Sequence, residues 1–173
     1  MEQRIRRVVV TGLGVISPVG NTVAGCWDSL TRGVHGIRPI TCFDTTNYKA
    51  KLAAQVRDFD PRAWLDKGET LRSDLYAQYA MGAACQAVEE SGVIGTLPPD
   101  RVAVYFGSGI GGMRTFSAEY DKLRNRGPHR ISPFFVPMMI PNMAAGMIAI
   151  RFNCQNAAMP AVTACASGSN AIG

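Results

Sequence analysis

Met159-Pro160-Ala161-Val162-Thr163-Ala164-Cys165 runs directly into Ala166-Ser167-Gly168-Ser169-Asn170-Ala171, and this passage from an apolar run to a small, polar one sets the architecture. The apolar part, residues 159–164, has the length of a buried strand. The part after Cys165 suits the opening of a helix near Ser167, so the thiol falls on a strand-to-helix turn. At the start of a helix the unpaired backbone N–H groups and the macrodipole favour negative charge, and with it a thiolate. Ala164, Ala166 and Gly168 give a thioester carbonyl room to approach the sulfur. They also leave backbone N–H groups free for the oxygen that becomes negative in acyl transfer. Position alone fits a small core hydrophobe better than a catalyst, because free cysteine is among the most buried residue types.

Working outward, the same alternation recurs upstream. Residues 5–11 read as a buried first strand, and Asn21 or Thr22 can cap a helix over 23–31 that stops at Gly33. A loop-rich stretch follows. Residues 51–56 suit a short strand, Asp58-Phe59-Asp60-Pro61 marks a turn, and Ser73 caps the longest helix, which ends before Gly92. One face of that helix carries Ala80, Ala83, Ala84 and Ala87 with Tyr76, Tyr79 and Val88, a small-residue face suited to close packing. Pro98-Pro99-Asp100 punctuates before a second strand over 102–106. Then come a glycine loop, Gly107-Ser108-Gly109-Ile110-Gly111-Gly112, and a helix over about 115–124. Strands alternating with helices predict an α/β fold with a central sheet and covering helices, in one domain without internal repeat or low-complexity linker.

The chain has 173 residues, 47% of them apolar, which is enough for a core. Its formal charge of +5 is unevenly spread: all 13 acids lie within residues 1–121, whereas Lys122, Arg124, Arg126, Arg130 and Arg151 follow without one. That last stretch offers no carboxylate base or metal ligand, but its basic loop could meet an acidic partner. The loop lacks the aromatic interleaving of a single-strand binder, and no nucleic-acid motif occurs. Cysteines at 26, 42, 85, 154 and 165 form an odd set without a Cys-x-x-Cys pair, so neither a zinc site nor a disulfide framework follows. No run is long enough for a membrane span, and a reduced, cytoplasmic compartment is expected.

Gly107-x-Gly109-x-x-Gly112 matches the dinucleotide-binding fingerprint formally. However, no acid occurs after Asp121 to hold a ribose, so the glycines are read here as a tight turn. No Walker lysine pattern or Gly-x-Ser-x-Gly elbow is present.

The segment Val162-Thr163-Ala164-Cys165-Ala166-Ser167-Gly168 resembles the nucleophile segment of the β-ketoacyl-acyl-carrier-protein synthases, most of all the type II elongation synthases. Val8-Val9-Val10-Thr11-Gly12-Leu13-Gly14-Val15-Ile16-Ser17-Pro18-Val19-Gly20-Asn21 is similar to that family's opening, and residues 107–112 to its glycine loop. Arg130-Ile131-Ser132-Pro133-Phe134-Phe135-Val136-Pro137 with Ile140-Pro141-Asn142-Met143-Ala144-Ala145-Gly146 is similar to the loop and helix lining its acyl pocket.

The resemblance implies the incomplete first half of a thiolase-like, layered αβαβα fold, with residues 1–173 as the N-terminal portion of a synthase domain that stops shortly after the nucleophile. It implies decarboxylative Claisen condensation, with the acyl group carried on Cys165. Substrates arrive on the phosphopantetheine of acyl carrier protein, and no further cofactor or metal is needed. Ile110, Phe135 and Met139 are the implied acyl-pocket residues, with Phe135 reaching across a homodimer interface. Lys67 and Arg72, before the long helix, are carrier-docking candidates together with Lys122, Arg124, Arg126 and Arg130. The family's two catalytic histidines and nearby lysine belong to a C-terminal half. His35 and His129 match neither histidine motif and are read as surface loop residues, so residues 1–173 alone are expected not to condense substrates. A coenzyme A-dependent thiolase would also carry an acylated cysteine in its first half. A non-catalytic partner subunit would keep the fold, although such subunits usually lack the nucleophile.

Overall fold

The Thr22 hydroxyl accepts a hydrogen bond from the Gly25 amide and so starts helix α1 (Val23–Thr31), after which the chain turns at Gly33 with φ +69°. The structure, a computed structural model, describes residues 7–173. In the stretch read as loop-rich, β1 (Ile37–Pro39) pairs antiparallel with β2 (Leu52–Ala54), Ile37 opposite Ala54.

Asp66 and Glu69 form a reciprocal capping box that holds the short helix α2 (Lys67–Leu71). The longest helix, α3 (Leu75–Ser91), is capped by Asp74, whose carboxylate accepts from the Tyr76 amide. Ser73, the expected cap, instead turns its hydroxyl back to the Glu69 carbonyl of α2 at 2.6 Å. A left-handed Gly92 ends α3.

Strand β3 (Val104–Gly107) leads through the glycine loop into α4 (Met113–Arg126). Helices α5 (Phe135–Met139) and α6 (Met143–Phe152) follow, then β4 (Ala158–Ala161) and α7 (Ser167–Ile172). Strands β3 and β4 run parallel, with Val104 beside Ala158 and Gly107 beside Ala161. Parallel neighbours need a crossover, and α4 to α6 supply it.

The core lies where α3 meets α6 and α6 meets β3. Met81, Ala77, Ala80, Ala144, Ala145, Ile148 and Val104 are buried there, and the alanines let the two helices approach closely.

Two further expectations are corrected. Of the strand expected over 5–11, residues 5 and 6 lie outside the described residues, and 7–11 form no ladder. Instead, the segment that follows lies along the small face of α3. The Leu13 amide donates to Glu90 Oε2, and Gln86 bonds both the amide and the carbonyl of Val15. At Gly14 a side chain would collide with the Ala83 carbonyl, which explains both the glycine and the alanine face. The basic stretch is also more helical than its reading as a loop: the helix expected over about 115–124 runs on to Arg126, so Lys122, Arg124 and Arg126 all sit on the last turns of α4, and only Arg130 lies beyond it, in a single 3₁₀ turn. Among the described residues, no helix is long and apolar enough to cross a membrane.

Candidate active site

Cys165 lies between β4 and α7, in a single 3₁₀ turn over Ala164–Ala166, and is exposed. Ala164, immediately before it, has φ +51°, a left-handed conformation that residues with a Cβ seldom adopt. The turn is closed from inside. The Ser167 hydroxyl accepts from the Thr163 amide at 2.9 Å and donates to the Ala164 carbonyl at 2.7 Å, while Asn170 Nδ2 donates to Thr163 Oγ1 at 2.8 Å. The thiol is thus carried on an over-determined bend at the end of a strand.

The other cysteines are in different surroundings. Burial pushes the Cys85 and Cys154 thiols up, which favours their protonated forms, and Cys26 accepts a hydrogen bond from the Ser17 hydroxyl.

The glycine loop lies beside this bend. The Ser108 amide donates to the Ala161 carbonyl at 3.0 Å, extending the β3–β4 ladder into the loop. A side chain at Gly107 would fall 2.3 Å from the Ser167 carbonyl oxygen, so the start of α7 can press on β3 only with glycine there. Gly111 takes φ +86° against the Met139 carbonyl, and the Gly112 amide donates to that same carbonyl at 2.8 Å. Of the glycines that mimic a dinucleotide fingerprint, Gly107 and Gly112 are therefore accounted for by protein backbone packed against them, whereas a side chain at Gly109 would meet Ala164 only at ordinary contact distance.

Three of the four residues singled out as nucleophile and pocket come from adjoining segments: Cys165 from the bend, Ile110 from the glycine loop, Met139 from the end of α5. Ile110 is 65% exposed and Met139 half-buried. Phe135 lies one helical turn before Met139, half-buried with its ring 6.3 Å from that of Phe116. The Tyr76 hydroxyl donates to the Ile140 carbonyl at 2.6 Å, so α3 buttresses the same corner.

The basic residues fall in two groups around the 130–135 segment. Lys67 is exposed on α2, and the Arg72 guanidinium sits 4.8 Å over the Phe134 ring. Lys122 is paired with Glu119 at 2.5 Å, and Arg124 lies 6.0 Å over Tyr120. Arg126 and Arg130 are exposed, as are His35 and His129, the two histidines read as surface residues. The Glu119 carboxylate also accepts from the Ser132 amide at 2.7 Å. The hydrogen bond from Lys122, followed by that from Ser132, holds its pKa below the ordinary value of 4.5.

Sequence reasoning passed over Glu119, Asp74, Ser167 and the Glu69–Arg151 pair. Asp66-x-x-Glu69 is a legible capping box. Asp74 and Glu119 have local partners in Tyr76 and Lys122, but their contacts with the Thr115 amide at 2.7 Å and the Ser132 amide reach other segments and leave no local pattern.

A family model for the β-ketoacyl synthase N-terminal domain matches residues 5–173. The 3-oxoacyl-[acyl-carrier-protein] synthase 2 of Coxiella burnetii is 47% identical over 169 residues, covering 97% of this chain and 41% of that protein. The synthase of the same name from Staphylococcus aureus strain MRSA252 is 45% identical over 174 residues, covering 100% of this chain and 42% of that protein. The chain therefore spans about two-fifths of the length of these relatives. The crystal structure of a β-ketoacyl synthase from Burkholderia phymatum superposes with a TM-score of 0.80 at 23% identity, over 97% of this chain and 42% of that one. The α/β arrangement is accordingly that of the thiolase-like ketosynthase fold.

Proposed function

Because the chain belongs to the β-ketoacyl synthase family, through its N-terminal domain, we propose that it provides the acyl-accepting part of a 3-oxoacyl-acyl-carrier-protein synthase of fatty acid elongation. The observation that carries this reading is the exposed Cys165 on a left-handed bend between strand and helix, beside a glycine loop that carries Ile110.

In the proposed reaction the Cys165 sulfur, as thiolate, attacks the carbonyl of an acyl thioester on acyl carrier protein. The carbon–sulfur bond to the carrier's phosphopantetheine breaks, the carrier thiol leaves with a proton, and the acyl group remains on Cys165. A malonyl thioester then loses CO₂, and the carbanion attacks the acyl-cysteine carbonyl. The new carbon–carbon bond forms as the Cys165 thiolate is released. Ile110, Met139 and Phe135 are proposed to line the acyl chain's path, with Phe135 turned toward a second copy in a homodimer. Lys67, Arg72, Lys122, Arg124, Arg126 and Arg130 are proposed to meet the acidic carrier. The enolate requires donors near the malonyl carbonyl, and we assign these to residues beyond 173. In this reading residues 1–173 are the N-terminal portion of a synthase domain that condenses only when joined to its C-terminal half. The five free cysteines support a reducing, cytoplasmic setting.

The test is covalent. The full-length protein containing this chain, incubated with a long-chain acyl-carrier protein, should gain one acyl mass on the peptide holding Cys165. Cys165→Ala should gain none. Acylation elsewhere, or equal acylation from coenzyme A thioesters, would overturn the assignment.

A further inference from the structure

Ser167 is only 3% exposed, yet its hydroxyl is fully engaged across the residues that precede Cys165. It accepts from Thr163 on one side and donates to Ala164 on the other, spanning the one residue of the bend whose φ is positive. Thr163 is in turn held from outside by Asn170, and the Ala166 amide donates to the Thr163 carbonyl at 3.1 Å. A residue with a Cβ prefers to leave the left-handed region, and relaxation of Ala164 would rotate the Cα–Cβ bond of the next residue. The two Ser167 bonds oppose that relaxation directly.

We propose that Ser167 is a positioning residue for Cys165: its hydroxyl, bonded to Thr163 N–H and Ala164 C=O, holds the left-handed bend that presents the thiol. Its catalytic meaning rests on Cys165 being the acylated nucleophile, whereas its effect on how the thiol is presented does not.

The experiment compares Ser167→Ala, Ala164→Gly and the double variant in the full-length protein. Acylation by acyl-carrier protein and alkylation by iodoacetamide are followed at Cys165, with exposed Cys42 as the internal alkylation control. Ser167→Ala should slow acylation at Cys165 by about 10- to 100-fold, the range that follows displacement of a reacting group by an ångström or so, and slow alkylation by a smaller factor, because iodoacetamide is not held in place. Cys42 should be unaffected. Glycine takes φ near +50° without a Cβ penalty, so adding Ala164→Gly to Ser167→Ala should recover most of the lost rate. A merely structural serine would not be rescued at Ala164.

Unchanged Cys165 rates in Ser167→Ala, or a double variant no faster than the single, would overturn the proposal. If Ser167→Ala gives no cooperative melt, Ser167→Thr against Ser167→Val makes the same comparison with and without the hydroxyl. Equal rates in that pair would sink it. A wild-type protein that is alkylated but never acylated at Cys165 would instead remove the synthase reading, leaving the alkylation comparison to decide on Ser167.

Discussion

Glu119 illustrates how one buried side chain joins two parts of the proposed site. Its carboxylate receives Lys122 from its own helix and the Ser132 amide from the segment leading into Phe135 and Met139. Because its folded pKa is depressed, its contribution is fully present above the ordinary value of 4.5 and fades as pH falls through the lower folded value. Glu119→Gln should lower stability at pH 7 by about 1–2 kcal/mol, a figure reduced because Lys122 is 42% exposed. The difference from wild type should shrink on acidification below pH 4.5, as urea melts at several pH values would check. Gly107 is sensitive for a steric reason. Gly107→Ala places a methyl 2.3 Å from the Ser167 carbonyl and must push α7 off β3, at a cost of about 1–3 kcal/mol. Acylation of Cys165 should fall with it, measured at a temperature where the variant remains folded.

At the scale of elements, the short helix α2 is the least self-sufficient part of the docking surface we propose. Five residues cannot hold a helix by hydrogen bonding alone, so α2 depends on its capping box and on a tether from α6. Arg151 supplies the tether, bonding Glu69 at 2.5 Å and the Trp64 carbonyl at 2.9 Å. The pair is about one-third exposed, so Arg151→Met should cost only about 1 kcal/mol. Its effect on carrier affinity should be larger than its effect on melting, because α2 carries Lys67 and ends at Arg72. Arg72→Glu should weaken carrier binding most at low ionic strength and progressively less as salt screens the contact. Titration of carrier protein at two salt concentrations reads both variants.

For the molecule as a whole, the pair β3–β4 is a two-stranded parallel sheet, an arrangement that proteins normally bury on both faces. Here Tyr105 is 60% exposed, Ile150 81% and Ile172 92%, and Val8, Val9 and Val10 are exposed as well. An apolar cleft of about 600 Å³ runs beside β3 between α3, α6 and Ile172. Apolar surface on this scale is seldom left to water in a stable monomer. Residues 1–173 expressed alone should therefore self-associate and bind a hydrophobic dye. With a C-terminal half of the kind proposed above co-expressed, the dye signal should be abolished and the proposed condensation should appear. A dye-silent, monomeric 1–173 chain would count against this expectation.

Reading the chain alone identified the elements whose signals are local. The cap before α1, read as Asn21 or Thr22 and found at Thr22, Gly92 after α3, and the passage from apolar strand to small-residue turn at Cys165 are decided by backbone groups within a few residues of one another. The Cys165 motif and the glycine loop carried the family resemblance by the same local character. Folding decided what local chemistry could not: that residues 7–11 join no ladder, and that Asp74, the cap of α3, also holds the Thr115 amide of α4. It also decided which segments meet. Gly107 against Ser167, Gly111 against Met139 and Glu119 against Ser132 are contacts between different elements, set by how helices pack on a parallel pair of strands, and no sequence period encodes them.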